Sequence, residues 1–298
     1  MTTVFSSAVV NDEQRRSMLY NGAVFVYPAS PVSRELIGFA RELIEDAFGP
    51  LDPETAQFAL CVENFAALLA DLKPRFIHHP RCKELLPELM REFGCALEET
   101  YFDVPRLRTS TSENYLTSGI SYAFHPHRDC WYSAPFNQIN WWLPIYPVVP
   151  DNVMAFHSRY FDEPVRNSSS TYDYAEWNRT SRLTAAQHLY SDTRQQPRAQ
   201  EPIELDPQVR VVPEAGGLMM FSGAQLHSTV PNTSGRTRFS IDFRTVHIGD
   251  VENHHGAHNI DSACTGTTLR DFVRASDLAA MPEGLAASYE TDKIAYVS

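Results

Sequence analysis

Three residues of this chain have the types and spacing to hold a metal ion: His127 and Asp129, separated by one residue, and His227, one hundred residues after the first. Two imidazoles and one carboxylate can occupy one face of a divalent cation and leave the opposite positions open to a co-substrate and dioxygen, which a closed structural site does not do. Alternate residues of an extended strand point to the same side. A strand through His127-Arg128-Asp129 would therefore turn both ligands to one ion and Arg128 away from it. His125 has the same parity and competes for a place in the set.

The triplet alone is a common coincidence, and its surroundings give it weight. A glycine pair, Gly216-Gly217, leads into an apolar strand, a second turn follows at Ser222-Gly223, and His227 emerges just beyond. A buried imidazole there needs a polar partner. After a turn at Asn232-Thr233-Ser234-Gly235-Arg236 comes a strand from Arg238 in which polar and apolar residues alternate. Arg238, Ser240, Asp242 and Arg244 should line one face, and Phe239, Ile241 and Phe243 the other. Arg238 and Ser240 thus present a guanidinium fork and a hydroxyl to one point, a pair suited to a carboxylate.

The elements that must position these residues divide the chain in two. Over 33–95 apolar residues such as Leu36, Phe39, Ala40, Leu43 and Ile44 recur at helical spacing, which predicts a mostly helical N-terminal region over 1–97. Asp52-Pro53 reads as a helix start, and Lys73-Pro74 and His79-Pro80 as punctuation between later helices. From residue 98 to 250 the chain turns to short runs of Thr, Tyr, Phe, Val and Trp. Strands are expected at 100–103, 120–124, 139–145, 153–156, 217–221 and 238–246. Such strands suit a jelly-roll whose mouth holds the site, giving an α+β protein with a helical layer on a β core. The polar and aromatic stretch at about 158–200, with Tyr172, Tyr174 and Trp177, reads as a partly helical lid inserted in that core. A C-terminal tail over 251–298 carries His254, His255 and His258, which a solvated loop explains without a metal.

Size and composition are compatible with one compact domain. The chain has 298 residues, 43% of them hydrophobic, enough to fill a substantial core. No internal repeat or low-complexity run is present. A formal charge of −12 argues against nucleic acid as a partner, because phosphate backbones are bound by clustered Lys and Arg. The first residues lack the pattern of a signal peptide and no apolar run has the length of a membrane span, so a cytoplasmic protein without a membrane partner is expected. Five cysteines, Cys61, Cys82, Cys95, Cys130 and Cys264, form no CxxC pair and suggest reduced, packed thiols.

From His125 to Arg244 the sequence resembles the Fe(II)/2-oxoglutarate-dependent dioxygenases, and most closely the phytanoyl-CoA dioxygenase-like superfamily. The distal His follows a glycine-containing strand and turn as in that family, and an Arg follows at a similar distance. The segment 151–158 is similar to a family stretch of the form Asn-Gly-x-Leu-x-x-x-Pro-Gly-Ser-His but lacks its Gly and Pro-Gly, which leaves His157 without an inherited role. The resemblance implies that His127, Asp129 and His227 bind Fe(II), and that 2-oxoglutarate chelates the metal with its far carboxylate on Arg238 and Ser240. Gln138, Asn140 and Trp142, which share one face of a strand, would border the co-substrate. It further implies a jelly-roll fold and hydroxylation of an unactivated C–H bond of a small molecule, with O2 consumed and succinate and CO2 released. Asp129 favours hydroxylation over halogenation, since related halogenases carry a small residue there. Arg128, Trp131, Tyr132, Tyr160 and Arg166 are the residues expected near a substrate, whose identity the sequence leaves open.

Two other readings use the same residues. A cupin-like metalloprotein, an isomerase or a 2-oxoglutarate-independent dioxygenase, would bind its metal with His125, His127 and His227 and would not need Arg238. A catalytically silent jelly-roll binding module would have lost its metal altogether.

Overall fold

In a computed structural model describing residues 2–291, the chain begins with β1 (Val4–Ser6), α1 (Asp12–Tyr20) and β2 (Val24–Tyr27). Three long helices follow: α2 (Pro31–Phe48), α3 (Val62–Ile77) and α4 (Pro80–Glu92). The strands β3 (Thr100–Phe102), β4 (Arg106–Ser110), β5 (Ile139–Pro144) and β6 (Met154–Phe156) lead to a short helix, α5 (Tyr174–Thr180). Then come β7 (Val209–Arg210), β8 (Leu218–Ser222), β9 (His227–Thr229) and β10 (Arg238–His247), and last α6 (Ile248–Glu252), β11 (Val273–Arg274) and α7 (Glu283–Thr291).

The strands form a large sheet in the order β1-β2-β8-β5-β10-β3-β11, with β4 also paired to β10, and a small sheet in the order β7-β6-β9. All pairings are antiparallel except β1 with β2. Period-two alternation gives each central strand two faces. Trp141 and Leu143 of β5, Leu218 and Met220 of β8, and Phe239, Ile241 and Phe243 of β10 pack with the N-terminal helices in the main core. Their neighbours Trp142, Met219 and Phe221 turn the other way and join Val153, Ala155 and Phe156 in a second core against the small sheet. The large sheet is thus a wall with helices behind it and the small sheet in front.

Local signals explain the helical layer. In α2, Ser30 caps the first turn by accepting from the Ser33 amide, Pro31 opens the helix, and Gly49 ends it at φ +59°. Its stripe Leu36, Ile37, Ala40, Ile44 and Phe48 is buried, as is Phe65, Leu69, Leu72 and Phe76 of α3.

Several expectations are corrected. Residues 53–55 form a turn and Ala56–Phe58 a 3-10 turn, so Asp52-Pro53 starts no α-helix. Pro74 lies inside α3 rather than ending it, because the last turn is held by the packing of Leu72 and Phe76. The stretch 120–124 is no strand: Gly119–Ser121 make a 3-10 turn. The N-terminal region is not only helical, since β1 and β2 extend the large sheet beyond β8. The segment after residue 250 is less a tail than a packed return, with β11 against β3 and a core of its own around Phe272 and Leu269. The stretch 158–200 contains α5 and several 3-10 turns, which matches its expected partly helical character. No described helix is long and apolar enough to cross a membrane.

Trp141 ties this wall together. It is 1% exposed, stacks on Phe243 at 5.2 Å and donates from Nε1 to Thr245 Oγ1 at 2.9 Å. Trp141→Ala is expected to lower the unfolding free energy by about 3–5 kcal/mol in urea titrations; a loss below about 1 kcal/mol would show that the wall does not depend on this packing.

Candidate metal centre

His127 and His227 are brought together by the main chain. The His127 amide donates to the His227 carbonyl and the His227 amide to the His127 carbonyl, both at 2.9 Å, as an isolated antiparallel bridge. The two imidazoles consequently lie side by side, with ring centroids 4.4 Å apart. Arg128 is extended (φ −111°, ψ 144°) and sends its side chain away from them, but Asp129 starts a 3-10 turn, Asp129–Tyr132, rather than continuing a strand. The Asp129 amide donates to the Gly223 carbonyl at 2.9 Å, which fixes where that turn begins. A Cβ on Gly223 would stand 3.2 Å from Gln138 Nε2 and 3.4 Å from Asp129 Cβ, so this close approach suits glycine.

Hydrogen bonds then decide which atoms remain for a metal. His127 Nδ1 lies 2.8 Å from the His125 carbonyl, and His227 Nδ1 lies 2.9 Å from the Gln225 carbonyl. A carbonyl only accepts, so each Nδ1 carries the proton and each Nε2 keeps its lone pair. Asp129 Oδ2 accepts from Asn140 Nδ2 at 2.6 Å and from Gln138 Nε2 at 3.0 Å. Its Oδ1 is left 3.6 Å from His127 Nε2 and 3.9 Å from His227 Nε2. Among the described residues this trio is the group whose ligand atoms converge, all within 4.8 Å of one another. Two nitrogens and one oxygen so disposed fit a first-row divalent metal with an open face.

The electrostatics agree with that geometry. Burial opposes the charge of Asp129, but its contact with His127 and the fields of His227 and Arg244 outweigh this and hold the carboxyl well below the usual range. Burial, helped by His127, lowers His227 to about 4, so the ring is neutral near pH 7.

The trio sits at a cavity lined in part by Phe124, Asn140, Trp142, Phe221 and Arg238. Arg238 is 6% exposed; its Nη1 donates to the Asn152 carbonyl at 2.7 Å, while its buried Nε has no partner. Ser240 Oγ, two residues along the same face, is also buried and unpartnered. The guanidinium lies over the Trp142 ring at 5.6 Å, and Trp142 is registered opposite Asp242, so Arg238 and the indole meet partway along β10 toward the metal ligands. Burial lowers Arg238 to about 10, which leaves it charged at neutral pH. Buried donors without acceptors are rare, and two on one strand face mark a place for an anion.

The other expected residues distribute unevenly. Gln138 and Asn140 both donate to Asp129 Oδ2, and Asn140 also lines the cavity, as does Trp142. Arg128 is withdrawn from any ligand: it is 1% exposed and donates to the carbonyls of Ala224, Tyr160 and Glu163 and to Asp261. Trp131 is fully buried with Nε1 on Asp261 at 2.7 Å, so it too is structural. Tyr160 hydroxyl accepts from the Glu204 amide, and Arg166 is exposed on Gln200 and Glu201; neither lines the cavity. Tyr132 does approach the centre, its ring edge-on to His127 at 5.5 Å.

His125 is exposed and outside the converging group, which removes the three-histidine alternative its physical basis. His157 is buried against Ser228 Oγ at 2.9 Å, and burial lowers it to about 4. His254 and His255 pack near Tyr289 and Asp250, and no metal group includes them among the described residues. Sequence reasoning missed Asp261, the acid that holds Arg128 and Trp131, and the bidentate pair of Arg108 with Asp242 in the cavity wall. Only the parity of Asp242 with Arg238 hinted at the second.

No family profile matches the chain, and no curated protein matches it. Among solved structures it is similar to the epimerase SnoN in complex with Fe3+, alpha ketoglutarate and nogalamycin RO, at 17% identity over 78% of this chain and 83% of that one, with a TM-score of 0.40. It is also similar to EvdO2 from Micromonospora carbonacea var. aurantiaca complexed with 2-oxoglutarate, at 12% identity over 80% and 92% of the two chains, with a TM-score of 0.43. The non-heme alpha ketoglutarate dependent carbocyclase SnoK from nogalamycin biosynthesis matches at 11% identity over 81% and 88%, with a TM-score of 0.39. With scores this low, the functional reading stands on the residues of the site.

The amide grip on Asp129 has a measurable consequence. Asn140→Ala is expected to weaken metal binding by about 10–100-fold in competition titrations with a chromophoric chelator, with the urea midpoint moving little; an unchanged metal affinity would show that Asn140 does not support the ligand.

Proposed function

We propose that this protein is an Fe(II)- and 2-oxoglutarate-dependent oxygenase, built on a double-stranded β-helix, that hydroxylates a C–H bond of a small molecule. The observation that carries the reading is the pairing of one converging N,N,O donor set with Arg238, which lines the same cavity and keeps a buried, unpartnered Nε, beside the unpartnered Ser240 hydroxyl two residues along its strand. A metal alone would not need Arg238 and Ser240, and an anion site alone would not need three ligand atoms freed from every other partner.

His127 Nε2, His227 Nε2 and Asp129 Oδ1 would hold the metal on one face. Bound Fe(II) with 2-oxoglutarate supplies the oxidising power, consuming O2 and releasing succinate and CO2. The chain does the rest. Arg238 Nε and Ser240 Oγ receive the far carboxylate, and Trp142 walls the same space. The His125 and Gln225 carbonyls keep the imidazoles turned, and Phe156 and Phe221, packed beside His227, keep water from its buried side. A carboxylate at 129 occupies the position that a halide would otherwise need, which supports hydroxylation over halogen transfer.

Anaerobic protein given Fe(II) and 2-oxoglutarate should develop a weak visible charge-transfer band and, on admission of oxygen, form succinate even without its substrate. Absence of both would remove the proposal. Asp129→Ala should cut metal affinity and succinate formation together, by about 100-fold or more. Arg238→Ala should leave metal affinity intact and raise the 2-oxoglutarate concentration for half-maximal turnover by about 10–100-fold, the worth of a charged hydrogen-bonded contact. Equal effects of both variants on metal binding would contradict the division of labour.

A further inference from the structure

A guanidinium carries its five N–H donors in one rigid plane, so fixing one donor and one face decides where the others point. For Arg238 the fixed donor is Nη1, 2.7 Å from the Asn152 carbonyl, and the fixed face lies over Trp142 at 5.6 Å. The buried Nε is left without a partner. Its direction therefore depends on where the Asn152 carbonyl stands.

That carbonyl closes a turn over 149–152, in the connection from β5 to β6, with Pro150 at the second position where its fixed φ suits the turn. The Asn152 amide donates to the Val149 carbonyl at 3.0 Å, and the Val149 amide donates back to Asn152 Oδ1 at 2.9 Å. The Asn152 side chain, 3% exposed, spends its nitrogen elsewhere: Nδ2 donates to Ser234 Oγ at 3.2 Å. Ser234 lies in the turn that leads into β10. Its hydroxyl donates to Asn232 Oδ1 at 2.7 Å, and Asn232 Nδ2 donates to the carbonyls of Arg236 and Ser110, both at 2.8 Å. Ser110 is registered opposite Arg238 on β4. One buried amide thus ties the acceptor of Arg238 Nη1 to the turn from which Arg238 itself emerges. Neither Asn152 nor Ser234 is among the residues that line the cavity, so an effect of either on a ligand must pass through Arg238.

Resting on the oxygenase reading of the same cavity, we propose that Asn152 is a positioning residue for the co-substrate: it holds the Arg238 guanidinium so that Nε meets the far carboxylate of 2-oxoglutarate, with Ser234 as its partner across the two turns. Charged hydrogen bonds reward exact placement of the donor plane, and a carbonyl that drifts with a loosened turn would take that plane with it. The role is confined to one end of the co-substrate. The end that meets the metal does not depend on it.

The test compares 2-oxoglutarate with 2-oxobutyrate, which has the same carboxylate and keto group for the metal and no far carboxylate, each titrated by anaerobic calorimetry into the Fe(II)-loaded protein. Wild-type protein should bind 2-oxoglutarate at least about tenfold more tightly, and Arg238→Ala should remove that preference. Asn152→Ala should weaken 2-oxoglutarate by about threefold to tenfold and 2-oxobutyrate by less than about twofold. Ser234→Ala, a milder change, should act in the same direction by about twofold to threefold, and it carries the test if Asn152→Ala does not fold. Adding Asn152→Ala to Arg238→Ala should cost nothing more, because both act on one contact. Equal weakening of both acids, an intact preference in Asn152→Ala or in Ser234→Ala, or additive losses in the double variant would each overturn the positioning role. A wild-type protein without an Arg238-dependent preference would remove the oxygenase reading and this proposal with it, whereas a preference that depends on Arg238 and survives loss of Asn152 would remove the proposal alone.

Discussion

Two main-chain hydrogen bonds, exchanged between His127 and His227, are what the rest of the site depends on. They join segments one hundred residues apart and set two imidazoles side by side before any metal arrives. Closing so long a loop carries an entropic cost that grows only slowly with length, and the two cores on either face of the large sheet offset it. Placement by backbone is also more exact than placement by long side chains. The ligand atoms then need only a rotamer and a tautomer, and the carbonyls of His125 and Gln225 supply the latter.

The alternation of the central strands carries this precision outward. Helix-facing residues of β5, β8 and β10 are large and apolar, while the opposite face of the same strands bears Asn140, Trp142, Arg238 and Asp242. A one-residue slip of β10 against β5 would bury four charged or hydroxylated side chains among the helices and expose two phenylalanines and one isoleucine to the cavity. Fold stability and site assembly are therefore under one constraint. The polar face has little freedom to drift.

That alternation is why much of the site was legible in the sequence. The strand from Arg238 showed its two faces in plain order, and the Gly216-Gly217 and Ser222-Gly223 turns framed the strand before His227. The N-terminal helices were legible from their stripes. What escaped were features set by contacts distant in sequence: the short strands β1 and β2, which exist as strands because β8 offers them an edge, and Asp261, an ordinary loop acid until folding brings Arg128 and Trp131 to it. The expected strand over 120–124 failed for a related reason. Its aromatic residues Tyr122 and Phe124 are spent on the cavity wall and on His127 rather than on a neighbouring strand. Gln138 and Asn140 were found as neighbours of the site, but their target became visible only when the Asp129 turn was seen to point Oδ2 at them.

Arg128, the residue between two of the ligands, works as a rivet. Its guanidinium grips the carbonyls of Tyr160 and Glu163 at the root of the 158–200 insertion, and Asp261, which it also binds, accepts from the Val165 amide and holds Asn167 through its own carbonyl. The base of the insertion is consequently bolted to the same tripeptide, His127-Arg128-Asp129, that carries two of the three candidate metal donors. A change that loosened Arg128 would therefore free the start of that segment and the backbone between two metal donors together.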